Sequence, residues 1–343
     1  MRCTLLIPQL LWPRETADAA AGGLELSALS TLLARADVER FDPVSSEGWL
    51  CRAFEVDRQR DWPIAPLTLG VDGGEPGEAY WLRADPVHIK VSREGLHLVD
   101  STLFDVSADE ASTLVAALNA HFDGELVFSA PHPKRWYLKC ASAPGIATHP
   151  VSEVAGKDVQ QHLPHGEHAL DWHRRFNEAQ MLLHAHPLNE AREDRGEPPV
   201  NSVWFWGGGT TPHVRGRHFA TVAADSPAAT ALAVAADVAV RPLHTDAESW
   251  LACSAATASK LPHLAILDRL GSAVSYQDAA AWRERIQALE RAWFAPLLSA
   301  LKRGRIDQLE LVALGSEHSS RFTVSRGALF RIWRRPRPLA AYA

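Results

Sequence analysis

Two arginines and three glycines in the middle of the chain are the residues best suited to chemistry. Asn189, Arg192 and Arg195 recur at i, i+3 and i+6, so they share one face of a short helix. Asn201 follows, and an aromatic run then ends in Gly207, Gly208 and Gly209. Glycines at a strand end leave backbone N–H groups free and put no Cβ in the way, and a guanidinium offers a planar fork of donors. Together these seven residues suit a phosphate or a carboxylate. The same helix also reads as a solvated face ion-paired to Glu190, Glu193 and Asp194. Trp204 and Trp206 read most simply as core aromatics on a strand.

A second set follows a strand expected over 309–314. Gly315-Ser316-Glu317-His318-Ser319-Ser320 would lie at the carboxyl end of that strand, where ligands collect in open α/β sheets. Glu317 and His318, with Asp268 after a strand ending at 267, have the donor types to ligate Zn²⁺ or Mn²⁺. They read equally as an exposed polar loop. Histidines 162, 165, 168, 173, 184 and 186 form no HExxH pattern and read as surface groups. Six arginines lie between Arg321 and Arg337, with no acidic residue after His318. Such a tail can hold phosphates or a nucleic-acid backbone. Leu329, Phe330, Ile332 and Trp333 interleave with it and point instead to a packed terminal strand with a charged outer face. GxxxxGK[ST], GxGxxG and GxSxG are all absent.

The elements that must position these groups follow from periodicity and punctuation. Strands are expected at 3–8, 80–90, 95–99, 126–129, 135–140 and 200–206, and helices at 24–35 and 166–185. Ser107 and Glu110 make a capping box for a helix over 108–122. Pro187 opens a short helix that Gly196 ends. The span 57–77 reads as turn-rich. From 219 the order alternates: strand 219–223, helix 227–236, strand 263–267, helix 279–303, strand 309–314. The expected fold class is α/β, a mostly parallel sheet flanked by helices, built from 1–79 and 200–343, with an inserted smaller α+β region over 80–199.

The 343 residues are 46% hydrophobic and 22% charged, ordinary for a packed protein, and the net charge of −6 creates no whole-chain field for nucleic acid. No apolar run is long enough for a spanning helix, and no signal peptide is convincing. Cys3, Cys51, Cys140 and Cys253 lie far apart, as free thiols of a reducing cytoplasm would. The expected partners are a phosphorylated small molecule or another protein, with nucleic acid ranked last and no membrane. No cofactor is expected unless Asp268, Glu317 and His318 hold Mn²⁺ or Zn²⁺.

The segment Asn189, Arg192, Gly196, Pro199, Asn201, Val203, Trp204, Trp206, Gly207 and Gly209 resembles the archaeal-type cofactor-independent phosphoglycerate mutases. The chain is also similar, over more of its length, to a bacterial branch of regulatory proteins of the RpfE type. That likeness rests on Leu5–Pro8, Trp81–His88, Arg135–Leu138 and Asn177–His184. The resemblance implies an alkaline-phosphatase-like fold in which two metal ions activate a transiently phosphorylated Ser or Thr. It also implies a metal-binding Asp just after the first strand, where this chain has Pro8-Gln9-Leu10. A later Asp followed by His is implied too. Here Asp268 remains, but Leu270-Gly271-Ser272-Ala273 has no His. The Asp-His-Ser-Thr motif is kept as Glu317-His318-Ser319-Ser320. Ser27 and Ser30 fall where a nucleophile is implied but lack its motif. The reading is a phosphoglycerate-mutase-like protein with a degenerate two-metal site, catalytically weak or inactive, that acts as a phosphorylated-metabolite-binding or regulatory protein. The alternatives are an active metal-dependent phosphotransferase and a nucleic-acid-associated regulator.

Overall fold

The structure, a computed structural model, describes residues 1–93 and 95–343. Contacts divide the chain into two units, Met1–Phe54 with Arg215–Ala343, and Glu55–Val214. β1 (Arg2–Pro8) buries all but its first residue, as an unbroken apolar run does in a strand covered on both faces. α1 (Ser27–Arg35) buries Ala28, Leu29, Leu32 and Leu33, one stripe at helical spacing. β2 (Asp37–Phe41) follows.

The second unit begins with α2 (Ile64–Val71), inside the stretch expected to be turns. Pro66 is tolerated there because the first four N–H groups of a helix have no intrahelical partner to lose. Next come β3 (Tyr80–Ser92), β4 (Gly95–Asp100) and α3 (Ala108–Phe122), whose Ser107–Glu110 capping box forms as expected. β5 (Val127–His132) and β6 (Arg135–Cys140) make the hairpin, and β7 (Ile146–Ala147) pairs with β8 (His165–Gly166). α4 (Ala169–His184) and α5 (Pro187–Asp194) lead into β9 (Ser202–Gly209).

β9 corrects one expectation. It pairs antiparallel with β3, Ala84 opposite Phe205 and Val87 opposite Ser202. It therefore extends the sheet β4-β3-β6-β5 of the second unit rather than the parallel sheet. Its eight residues are all buried, with Trp172 of α4 edge-on to Phe205 and Phe176 edge-on to Trp204. The unit boundaries accordingly fall at 54/55 and 214/215, whereas the sequence placed the insertion at 80–199.

The return to the first unit supplies β10 (Thr221–Ala223), α6 (Pro227–Ala235), β11 (Ala239–Arg241), β12 (His263–Ile266), α7 (Ala279–Leu289), α8 (Ala295–Lys302), β13 (Gln308–Leu314) and β14 (Ser319–Ser325). The sheet order is β11-β10-β12-β1-β13-β14-β2. β11, β10, β12, β1 and β13 run parallel, and β14 and β2 are antiparallel at one edge. The fold is thus a mixed α/β one, with a largely parallel sheet flanked by helices. Leu5 and Ile7 of β1 and Leu309 and Leu311 of β13 share a core with Leu29, Trp282 and Phe294. The long helix expected over 279–303 is interrupted by a π turn, Glu290–Phe294. Among the described residues no helix is long and apolar enough to cross a membrane.

Candidate functional site

All seven residues of the first candidate set lie in the second unit, but they do not form one site. Asn189, Arg192, Arg195 and Asn201 stand by the start of β9 and Gly207–Gly209 at its far end, and their polar atoms are engaged by the chain itself. Asn189 is buried. Its Nδ2 donates to the carbonyls of Leu183 (2.7 Å) and Val200 (3.0 Å), and its Oδ1 accepts from Val200 N (2.8 Å). Asn201 does the same for β3, accepting from Ile89 N (2.7 Å) and donating to Ile89 O (3.0 Å). Each amide imitates a peptide group and satisfies backbone that would otherwise be buried unpaired. Arg192 is 1% exposed. Its Nε donates to Pro198 O (3.0 Å), one terminal nitrogen to Glu110 (2.9 Å) and the other to Asp105 O (2.8 Å). Arg195 is more exposed and shares Glu110 and Glu197. The i, i+3, i+6 face is real. Arg192 and Arg195 converge on Glu110 at the capping box of α3, while Asn189 serves the backbone.

The glycines are likewise engaged within the chain. Gly207 has φ +66°, a left-handed conformation, and its N–H points at Thr148 Oγ1 (3.2 Å). A Cβ on Gly208 would lie 2.6 Å from the Tyr80 hydroxyl, so close packing excludes any side chain. The Gly208 N–H leads to the buried carboxylate of Asp61 (3.4 Å), which also accepts from Thr148 N (2.9 Å) and Thr148 Oγ1 (2.5 Å). Gly209 pairs with Trp81 in the ladder. Within the glycine run it is Gly208 N–H that faces the Asp61 carboxyl group. Burial pushes the Asp61 carboxyl above its usual range, against the pull of the Thr148 and Gly208 donors. Nothing in the spacing of Asp61 from Thr148 or Gly208 marked this contact in the sequence.

The second candidate set lies on the carboxyl edge of the parallel sheet in the first unit, where register places it. Pro8 opposes Leu314, Leu6 opposes Ile266 and Ala313 opposes Ser320. Gln9, Asp268 and the turn 315–318 therefore stand at neighbouring strand ends. Gln9 takes a left-handed conformation (φ +57°), fixed by its N–H on Leu314 O (2.8 Å) and by Trp282 Nε1 donating to its carbonyl (3.2 Å). Four side-chain atoms around this edge, Gln9 Oε1, His318 Nε2, Ser319 Oγ and Ser320 Oγ, are buried with no hydrogen-bond partner among the described residues, and His244 Nδ1 is a fifth. Asp268 is crowded by protein although the residue keeps solvent contact. That crowding, with the negative charge of Asp225, holds its carboxyl above the usual range.

These residues do not fit two divalent ions. The first strand ends in Gln9, a neutral amide that cannot bridge metals as a carboxylate does. Among the described residues, no three His, Cys, Asp or Glu side chains are grouped so that they could hold one ion. Asp268, Glu317 and His318 share an edge without forming such a group.

At the N-terminus of α1, near Ser27 and Ser30, the free amides are also taken. Glu290, at the start of the π turn, accepts from Ala28 N (2.6 Å) and Leu29 N (3.0 Å). The π turn shifts the register of a long helix and so aims one carboxylate at another helix's positive end. A lone Glu within a helical run gave no sign of this role.

No family model matches the chain. The chain is similar to 2,3-bisphosphoglycerate-independent phosphoglycerate mutases. It is 27% identical over 162 residues to a probable enzyme of that name from Geobacter sulfurreducens, covering 46% of this chain and 39% of that protein. It is 29% identical over 153 residues to one from Methanosarcina barkeri, covering 44% and 37%. The matched parts thus span about two fifths of those relatives. Among solved structures, the PH0037 protein of Pyrococcus horikoshii superposes over 94% of this chain and 87% of its own, with TM-score 0.53 and 14% identity. A cofactor-independent phosphoglycerate mutase from Thermoplasma acidophilum aligns over 100% of this chain and 95% of its own, with TM-score 0.48 and 16% identity.

Proposed function

We propose that this chain is a phosphoglycerate-mutase-like protein that binds a phosphorylated small molecule at the strand-end edge without metal-dependent turnover, and that it acts as a regulatory protein of the bacterial branch it resembles. The observation carrying this reading is Gln9, standing where a metal-bridging carboxylate is implied, at the strand end beside the turn that carries the orphaned His318 imidazole. Of the consecutive Ser319 and Ser320, which face opposite sides of β14, one hydroxyl can join them. A phosphate monoester bearing a hydroxyl offers acceptors to the imidazole and to that serine and a donor to the Gln9 amide. The binding seat moves from Arg192 and Gly207–Gly209, whose donors are committed, to the parallel sheet. Four unpaired thiols suit the reducing compartment in which such a ligand would be met.

The test is calorimetric titration with 2- and 3-phosphoglycerate, on stripped protein and on protein given Mn²⁺, beside a mutase assay. Expected are binding without metal, weakened about tenfold by His318→Ala through one lost charge-assisted bond, and no interconversion. Metal-dependent interconversion would overturn the reading. So would binding untouched by His318→Ala.

A second reading, an active metal-dependent phosphotransferase using Asp268, Glu317 and His318, draws on the placement of these donors at neighbouring strand ends. It requires Mn²⁺-dependent turnover that Asp268→Asn abolishes, and turnover surviving that substitution would reject it.

A further inference from the structure

We propose that the loop from Phe330 to Pro338 docks onto an anionic lipid surface. The sequence pointed to a packed strand here. The strand β14 instead ends at Ser325, and a short 3₁₀ turn, Gly327–Phe330, follows it. Ala328 before the loop and Leu339 after it are buried in the core of the first unit. Between these anchors Phe330, Ile332 and Trp333 are 76%, 75% and 73% exposed. Scattered single apolar residues on a surface need no explanation, but three large ones within four positions do.

The exposure is built in. Arg331 N donates to Ala328 O (3.1 Å), Ile332 N to Phe330 O (2.8 Å) and Arg334 N to Arg331 O (3.0 Å). The Arg331 guanidinium grips both oxygens of Asp37 (2.5 and 3.1 Å), and Arg334 donates to Ala36 O (2.7 Å). Two arginines thus fix the frame while the apolar side chains between them face water.

Charge decides the occupant. No acidic residue follows Glu317, and Arg335 and Arg337 are exposed without an ion pair among the described residues. An amphipathic loop of Phe, Ile and Trp with free arginines matches the boundary of a bilayer. The apolar groups enter below the headgroups, and the guanidiniums stay with lipid phosphates. A single-stranded nucleic acid is served less well. Ile332 has no π face for a base to stack on, and two free cations track little of a phosphate backbone. The expectation of no membrane partner rested on the lack of a spanning segment, which does not bear on a loop lying at the surface.

The test is co-sedimentation of the full chain with phosphatidylcholine vesicles, with and without phosphatidylglycerol, beside titration with a labelled single-stranded oligonucleotide. Expected is binding to phosphatidylglycerol-containing vesicles, reduced at least about tenfold in an Ile332→Ser/Trp333→Ser variant. Arg335→Glu/Arg337→Glu should remove the preference for the anionic vesicles. Both variants should melt like the parent, since none of these side chains packs. Vesicle binding unchanged in the variants, or absent from the parent, overturns the proposal. Oligonucleotide binding without vesicle binding reassigns the loop to nucleic acid. Self-association lost in the Ile332/Trp333 variant reassigns it to a second copy of the chain.

Discussion

At the scale of single residues, Arg192 separates a ligand-binding role from an architectural one. Its guanidinium is buried, with Glu110 and two carbonyls as partners. Arg192→Ala removes one donor from Glu110, which keeps Arg195 and Ser107 N, and takes the guanidinium from the Pro198 and Asp105 carbonyls, and the expected loss is about 1–3 kcal/mol. Urea unfolding should show a lower midpoint with an unchanged slope, while binding of phosphoglycerate stays as in the parent. Selective loss of ligand with full stability would restore the arginine to the binding site. Asp72 carries a pH prediction. Burial alone would raise its carboxyl, but bidentate Arg135 and the Tyr137 hydroxyl outweigh that and hold it below the usual range. A depressed folded pKa contributes stability that is present above the unfolded value of about 4 and lost as pH falls through the folded one. Asp72→Asn should therefore destabilise the protein at neutral pH and flatten its loss of stability below about pH 4. An unchanged acid slope in urea titrations would refute this.

At the scale of elements, the π turn is a device for delivering Glu290 to the first turn of α1. Glu290→Ala leaves the Ala28 and Leu29 amides open, and the expected cost is about 1–2 kcal/mol. Inorganic phosphate should then raise the melting temperature of the variant more than that of the parent, because an anion can occupy the emptied cap. Equal response to phosphate would mean water already serves those amides. This contact also marks how far the sequence could be read. The stripe of α1, the capping box of α3, the apolar run of β1 and the strand–helix alternation after 219 are local signals, and each appears where expected. The partner of β9 was not legible, because an aromatic strand buried on both faces satisfies either sheet equally well. Likewise, Asn189, Arg192 and Gly207–Gly209 have the types and spacing of an anion site. Whether the anion is external or is Asp61 and Glu110 depends on contacts 82 to 147 residues away in sequence. The placement of Asp268 and the 315–320 turn at the carboxyl ends of neighbouring strands followed from strand order, yet the orphaned polar atoms there emerge only from packing.

At the scale of the whole molecule, the second unit is carried as an insertion whose ends meet. The chain leaves the first unit at Phe54, and on its return Gly216 N donates to Phe54 O at 2.9 Å. Closing so short a gap costs little loop entropy, so the first unit does not need the insertion to hold its strands in order. The second unit has its own five-stranded sheet, and Trp136, Tyr137, Trp204 and Phe205 are buried within it. It also carries its own buried polar anchor. Arg83 donates to Asp85 (3.0 Å), Trp206 Nε1 donates to the other Asp85 oxygen (2.7 Å), and the guanidinium lies against the Tyr137 and Trp206 rings. A region of this size with a complete core is large enough to fold alone. Residues 55–214 expressed separately should therefore unfold cooperatively in urea, with one transition by tryptophan fluorescence and by circular dichroism. The complementary chain, Phe54 joined to Arg215 through a short glycine linker, should keep its sheet and with it the binding of phosphoglycerate. A broad, probe-dependent transition in either piece would mean the two units stabilise one another. Loss of binding by a well-folded first unit would place the ligand's determinants in residues 55–214 after all.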